Sequence, residues 1–236
     1  MFFQENNNIS EGSIVPAALG RENRVLADSD GAEMTTLYGN RDSGSTHRVR
    51  VLMHCIGLPH RYVEIDLAAG EHRAQRFLAI NPFGQVPVLQ DAGRTLRDSH
   101  AILVYLARVH GPAWLPSDPG AEAEVQAWLS FSAGEIQQSL GRLYLARVYP
   151  EQGVPTDAER RGLSALRLVD HHLARAGKEC LVGNAPTIAD VALYPYLSLG
   201  LCERGDLELA ALDAWVQRLE TRHGFVPLQA TDGAAA

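Results

Sequence analysis

The sequence predicts an α/β layer domain followed by an all-α helical domain. Two observations predict it. From Met34 to Gly111, short β-type runs alternate with short helical ones in the order β-α-β-α-β-β-α, punctuated by Gly, Pro, Asn and Asp. Beyond Pro116-Ser117-Asp118-Pro119 the strand patterns stop, and apolar residues recur at helical spacing to about residue 222.

The elements follow in order. Residues 1–33 lack sustained periodicity and have no basic stretch leading into an apolar one, so they read as a mobile N-terminal extension rather than a secretory signal. The rival reading is a docking arm that uses Ile14, Val15 and Leu26. The first domain is expected over residues 34–113. Thr35–Tyr38 is β-type, and Thr46–Ile56 is helical until Gly57 and Pro59 stop it. Tyr62–Leu67 alternates as a strand, and Glu71–Ala79 is a short helix broken by Asn81-Pro82-Phe83-Gly84. Val86–Leu89 and Thr95–Leu96 flank the hairpin signal Asp91-Ala92-Gly93-Arg94, and Asp98–Val109 is an amphipathic helix. The helical domain is expected over residues 120–225, with stretches near 121–148, 156–176, 187–202 and 208–222 and a flexible tail from residue 226.

Composition narrows the function. The 236 residues are 46% hydrophobic and 21% charged, with a net charge of −7, which fits a folded globular chain. The negative balance offers no basic surface for nucleic-acid phosphates. No apolar run approaches the roughly 18 residues of a membrane span. Cys55, Cys180 and Cys202 are widely spaced and form no CxxC pair, which suits a reducing compartment, the cytoplasm. Among the nine histidines, His171 and His172 are adjacent and point apart on a helix, while His47 and His54 sit two turns apart, so no metal site is expected.

Three segments could carry chemistry. In Arg41–Leu52 a strand end leads through a small polar loop into a helix, with Ser43, Ser45 and Thr46 at the helix start. Free N–H groups and the positive dipole end gather there and favour an anion, including a thiolate, although for this segment alone helix capping is the simpler explanation. In Asn81–Leu89, Pro87 opens a strand after Val86. A cis bond there would turn the Val86 backbone outward to pair with an extended peptide-like ligand, whereas a trans proline would mark a plain edge strand. In Leu96–Leu106, Asp98 and Ser99 precede an apolar helix, where they could hold an amino-acid head group or serve only as the N-cap.

Together, in order and spacing, the three segments resemble the glutathione S-transferase superfamily, in particular its bacterial, serine-using, cytosolic members. The carrying residues are Tyr38 with Ser43, Asn81-Pro82-x-Gly84-x-Val86-Pro87, and Asp98-Ser99-x-Ala101-Ile102. Gly183-Asn184-Ala185-Pro186-Thr187-Ile188-Ala189-Asp190 looks like the family's buried capping box. The resemblance spans about residues 34–225. It implies a thioredoxin-like N-terminal domain that binds glutathione and a helical domain that completes the co-substrate pocket.

The resemblance also implies site residues. Ser43 would contact the glutathione sulfur, with Tyr38 and Ser45 as alternatives. Val86 would pair its backbone with the cysteinyl part, beside Gln85 and Pro87. Ser99 would hold the γ-glutamyl carboxylate, and Asp98, shorter than the usual Glu or Gln, would face its ammonium. Glutathione is then a substrate, no metal is needed, and a homodimer acting on a small hydrophobic electrophile is expected. Trp128, Phe131 and Tyr144 are candidates for the co-substrate pocket, although helical spacing favours a core or subunit-interface role for them, and His72 is a candidate for the glycine carboxylate. The alternatives are a catalytically silent binding or regulatory protein of the same fold, or a glutathione-dependent isomerase or dehalogenase. Isomerases of the family carry a Ser-Ser-Cys loop, where this chain has Ser43-Gly44-Ser45.

Overall fold

The computed structural model describes residues 34–176, 178–200 and 207–228. The expectations for residues 1–33, for Cys202 and for the tail beyond Leu228 lie outside the described residues. Four strands form one mixed sheet: β1 (Thr36–Gly39), β2 (Arg61–Glu64), β3 (Val88–Asp91) and β4 (Arg94–Arg97), in the order β2-β1-β3-β4. β1 and β2 are parallel, and the β1–β3 and β3–β4 pairs are antiparallel. This is a thioredoxin-like layer. The helices are α1 (Gly44–Cys55), α2 (Gln75–Leu78) and α3 (Ser99–Val109), then α4 (Pro119–Phe131), α5 (Leu140–Val148), α6 (Ala158–Ala176), α7 (Ile188–Gly200) and α8 (Ala210–His223).

One sheet face packs on α1 and α3. Leu37 and Leu89 meet Val49, Leu52, Met53, Ile102, Leu103 and Leu106 there, all at most 1% exposed. The other face carries Tyr38, Val63 and Val88 under Phe77 of α2. Alternation along β1 therefore sends Leu37 and Tyr38 to opposite sides. The β3–β4 turn places Ala92 and Gly93 at positive φ (46° and 72°), the pairing that a tight two-residue hairpin demands.

Several boundaries differ from the sequence pattern for local reasons. The strand expected to Leu67 ends at Glu64, because Asp66 caps a turn through Ala69 N (2.8 Å) and Gly70 takes a left-handed φ of 75°. The helix expected over Glu71–Ala79 is a 3₁₀ turn at Glu71–Arg73 followed by α2, interrupted by extended Ala74; Phe77 is the sole fully buried anchor of the pair. Val86 and Pro87 precede β3 rather than belonging to it, since Pro87 has no amide for the ladder. The stretch expected over 121–148 is α4, a π turn at Ser132–Ile136, and α5. Ser132 Oγ donates to Ala192 O (3.1 Å), and Ser139 Oγ donates to Glu135 O (2.6 Å), so both hydroxyls engage backbone at the break.

In the helical half, α7 is central and packs on α1, α3, α4 and α5. Its start is fixed by the capping box read from sequence. Thr187 N donates to Asp190 Oδ2 (2.8 Å), and Ala189 N donates to Thr187 Oγ1 (3.2 Å). Asp190 Oδ1 also accepts from Leu181 N and from Trp215 Nε1, both at 2.9 Å, tying α7 to α8. Asp170 of α6 caps α8 from outside, accepting from Ala211 N and Leu212 N at 3.0 Å.

The chain then turns at Gly224 and returns over α1. Phe225 and Leu228 are buried, and Val226 O meets His47 Nε2 at 2.7 Å. Within the stretch expected to be a flexible tail, Val226 is thus held by its bond to His47 and Leu228 by burial. Among the described residues, no helix is long and apolar enough to cross a membrane.

Candidate active site

The candidate residues gather at one end of the sheet, and strand register explains why. Tyr38 pairs with Val88, and Val88 with Arg97. Both antiparallel ladders end at Val88, so the residues leading into Val88, those following β1 and those following β4 all emerge at the same end of the sheet. Asn40 leads directly into Ser43, whose N donates to Asn40 O at 3.1 Å. The C-terminal end of β1, the lead-in to β3 and the start of α3 therefore share one edge.

Asn40 organises the first loop. Buried, it donates through Nδ2 to Glu64 Oε1 and Ile65 O (both 3.1 Å) and accepts from Asp42 N through Oδ1 (3.0 Å). An Asn directly after a strand and before a polar loop is the sequence signal for such a turn. Ser43 is the N-cap of α1: its Oγ accepts from Thr46 N at 3.2 Å, leaving its own proton to donate. The amides of Gly44 and Ser45 have no acceptor among the described residues, as first-turn amides do. Ser45, half-buried, has a hydroxyl without a hydrogen bond among the described residues.

Tyr38 lies elsewhere. It projects from the sheet face opposite α1 and donates to Gln90 Oε1 at 3.0 Å, lining a groove of about 410 Å³ with Thr36, Arg61 and Arg94. The structure therefore separates it from the Ser43 loop.

The second loop is tied by Asn81, 2% exposed, which donates to Gln85 O at 2.7 Å and accepts from Phe83 N at 3.2 Å. Gly84, at φ 61°, leaves only 3.1 Å between a built Cβ and His72 O, so a side chain there would be strained and tightly packed. The Val86–Pro87 bond is cis. Neither the amide nor the carbonyl of Val86 has a hydrogen-bond partner among the described residues. Gln85 is exposed and Pro87 buried.

At the third element Asp98 is the N-cap of α3 at φ 70°, and its Oδ1 accepts from His100 N and Ala101 N, each at 3.0 Å. Capping thus occupies one carboxylate oxygen. Ser99, 5% exposed, accepts on Oγ from Arg48 Nη1 (3.4 Å).

The helical half closes over this end. Tyr196 of α7 packs so tightly on the α1 start that a Cβ at Gly44 would sit 2.4 Å from its Cζ. Tyr144 of α5 lies 6.2 Å from Tyr196, ring to ring, with its hydroxyl buried and without a hydrogen-bond partner among the described residues. Burial, and then the negative charge of Asp42, raise its ionisation well above the phenol range. Trp128 and Phe131 are half-buried against the core and pack on each other, and Trp128 meets His172 of α6 at 4.8 Å.

Gly44→Ala is expected to destabilise the fold by about 1–3 kcal/mol through overpacking. A urea unfolding curve checks this, and the added variant Tyr196→Leu should recover part of the loss.

Two histidines, buried His47 and part-buried His100, set an acid limit. Burial pushes His47 down to about 4, opposed by its bond to Val226 O and reinforced by Arg50 and Arg48. Burial, then the Arg48 charge, push His100 to about 4. Both are therefore neutral in the folded chain at pH values where the unfolded chain binds protons. Their contribution is complete above about pH 6.5 and is lost as pH falls toward 4, at about 3 kcal/mol each. Urea midpoints measured between pH 7 and pH 4 should fall, and His47→Gln should flatten the fall.

Comparison with known proteins identifies the family of the chain. Residues 33–108 match the family described as Glutathione S-transferase, N-terminal domain, and residues 127–223 match Glutathione S-transferase, C-terminal domain. Maleylacetoacetate isomerase of Rhizobium meliloti is 36% identical over 76% of this chain and 87% of its own. Glutathione S-transferase 3 of Zea mays is 32% identical over 80% and 90%. A crystal structure described as a possible glutathione S-transferase from Rhodopseudomonas palustris superposes with a TM-score of 0.74 at 31% identity, over 84% of this chain and all of that one. A glutathione transferase homolog of Drosophila mojavensis, solved with bound glutathione, superposes at 0.72 with 26% identity, over 80% and 88%. With both family domains matched in order over most of its length, the chain belongs to the glutathione S-transferase family.

Proposed function

We propose that this transferase ionises glutathione at Ser43 and presents the thiolate to a small hydrophobic electrophile under Tyr144 and Tyr196. The observation that carries the reading is the backbone of Val86, unpaired among the described residues, at the end of the sheet where the Ser43 loop and the start of α3 also emerge. An extended tripeptide satisfies both Val86 groups, as an added strand would. Gln85 and buried Pro87 flank that contact. Its γ-glutamyl carboxylate then meets Ser99, and its ammonium meets the Asp98 oxygen not used in capping.

The sulfur falls at the start of α1. A free thiol with a pKa of ~8.5 is a few per cent thiolate at neutral pH. Lowering that by about two units takes roughly 2.7 kcal/mol. A hydroxyl bond from Ser43, together with the free Gly44 and Ser45 amides, is of that size. Ser43 donates a proton and forms no covalent bond. The thiolate attacks an electrophilic carbon, forming a C–S bond while the leaving group departs with its electron pair. Ser45, one position into the helix, is the alternative donor; Tyr38 would have to cross the sheet.

The 36% identity to an isomerase supports a second reading, in which the thiolate adds and is later expelled. The two differ in stoichiometry. A transferase consumes one glutathione per turnover, and an isomerase returns it. Assays of a panel of aryl halides, activated alkenes and cis-alkene diacids, following glutathione alongside product, test both. Net glutathione consumption with any electrophile supports the transferase reading, and conversion without consumption contradicts it. The reading includes a homodimer, checked by light scattering, and a cytoplasmic location.

A further inference from the structure

Arg48 of α1 is a buried cation without an anion. It is 0% exposed, and no carboxylate oxygen among the described residues lies within 4 Å of it to form an ion pair. Its neighbours are neutral acceptors. On α3, Nη1 donates to Ser99 Oγ (3.4 Å) and to His100 Nε2 (2.6 Å). From the segment after the π turn, Gln137 Oε1 accepts from Nη2 at 3.5 Å, and from α7 the Tyr196 ring lies 5.7 Å from the guanidinium carbon. Nε is buried and has no hydrogen-bond partner among the described residues. Asp98 attracts the charge from beyond ion-pair distance, and its Oδ1 is taken up by the α3 amides. Burying a charge without a counter-ion is costly, and buried charges are ordinarily paired.

The geometry around Ser99 indicates what the charge is for. Ser99 Oγ accepts from Arg48, so its own proton is directed elsewhere, and no acceptor for it exists among the described residues. Ser99 N likewise has none, and it stands at the start of an 11-residue helix. A carboxylate arriving there takes an O–H and an N–H, with a guanidinium directly behind the hydroxyl.

We infer that Arg48 is a positioning residue for glutathione's γ-glutamyl carboxylate, acting through Ser99 as the counter-charge this site otherwise lacks. This rests on the glutathione reading above. A plain structural staple between α1, α3 and α7 would use the same bonds, but would be indifferent to which ligand binds.

Calorimetry with two ligands separates these roles: glutathione, and 4-aminobutyryl-cysteinyl-glycine, which lacks only that carboxylate. Arg48→Met is expected to weaken glutathione binding by about 10- to 100-fold while changing analogue binding no more than about twofold. Its urea midpoint should equal or exceed that of the wild type, because an unpaired buried charge has been removed. Arg48→Lys keeps the charge and should retain a preference for glutathione over the analogue. Equal losses for both ligands, or no loss for either, would overturn the inference. A wild-type protein that binds the analogue as tightly as glutathione would overturn it while leaving the glutathione reading intact. A wild-type protein that binds neither would overturn both.

Discussion

Ser43→Ala should lower kcat by about 10²- to 10³-fold, the usual loss when a donor to a developing or resident anion is removed from a closed site. The thiol of bound glutathione should return toward ~8.5, its value without protein stabilisation. Ser43 also caps α1 through Thr46 N, so the same change removes about 1 kcal/mol of stability. Ser43→Asp separates the two roles. A carboxylate caps the helix as well as a hydroxyl and suits the dipole. It also sets a negative charge against the thiolate. Its unfolding curve should match that of the wild type while conjugation is lost. Ser43→Ala with undiminished kcat, or Ser43→Asp with wild-type conjugation, would remove Ser43 from the chemistry and turn attention to Ser45.

Asp190→Ala carries the largest expected stability loss. The carboxylate is 0% exposed and accepts four hydrogen bonds: from Leu181 N, Thr187 N, Thr187 Oγ1 and Trp215 Nε1. Burial alone would raise its ionisation, and those bonds oppose that rise. Truncation leaves four buried donors facing a void, at about 3–5 kcal/mol. That is a large part of the 5–15 kcal/mol typical of a whole domain. Chemical denaturation should show the loss directly, and Thr187→Ala, which removes only the outer half of the box, should lose about 1 kcal/mol. Because α7 carries Tyr196 against Gly44, Asp190→Ala should also lower activity per folded molecule.

Much of this was legible because each signal is local. The capping box needs only Thr187 and Asp190 at the right spacing. Strand alternation and the Asp91–Arg94 turn fix the sheet, and with it the edge shared by Ser43, Val86 and Ser99. Where the pattern misled, a longer-range contact decided the outcome. The helix expected over 121–148 breaks where Ser132 and Ser139 engage backbone carbonyls, and nothing in the apolar spacing announces that. Tyr38, the lesser alternative for the sulfur, alternates with Leu37 and donates to Gln90 Oε1 on the sheet face away from α1. Arg48 was illegible for another reason. On an amphipathic helix an arginine reads as solvent-facing, and its burial arises only when α3, the π turn and α7 assemble around α1. Gly44 was likewise silent, since its need for a missing side chain comes from Tyr196, about 150 residues away in the chain.

The most direct test of the central claim is a crystal structure with glutathione bound at saturation. The account predicts the cysteinyl N–H and C=O paired with the Val86 backbone, the sulfur within hydrogen-bond distance of Ser43 Oγ, and the γ-glutamyl carboxylate on Ser99 above Arg48. Glutathione bound with its sulfur on the Tyr38 side of the sheet, or an edge left empty at saturating ligand, would contradict it.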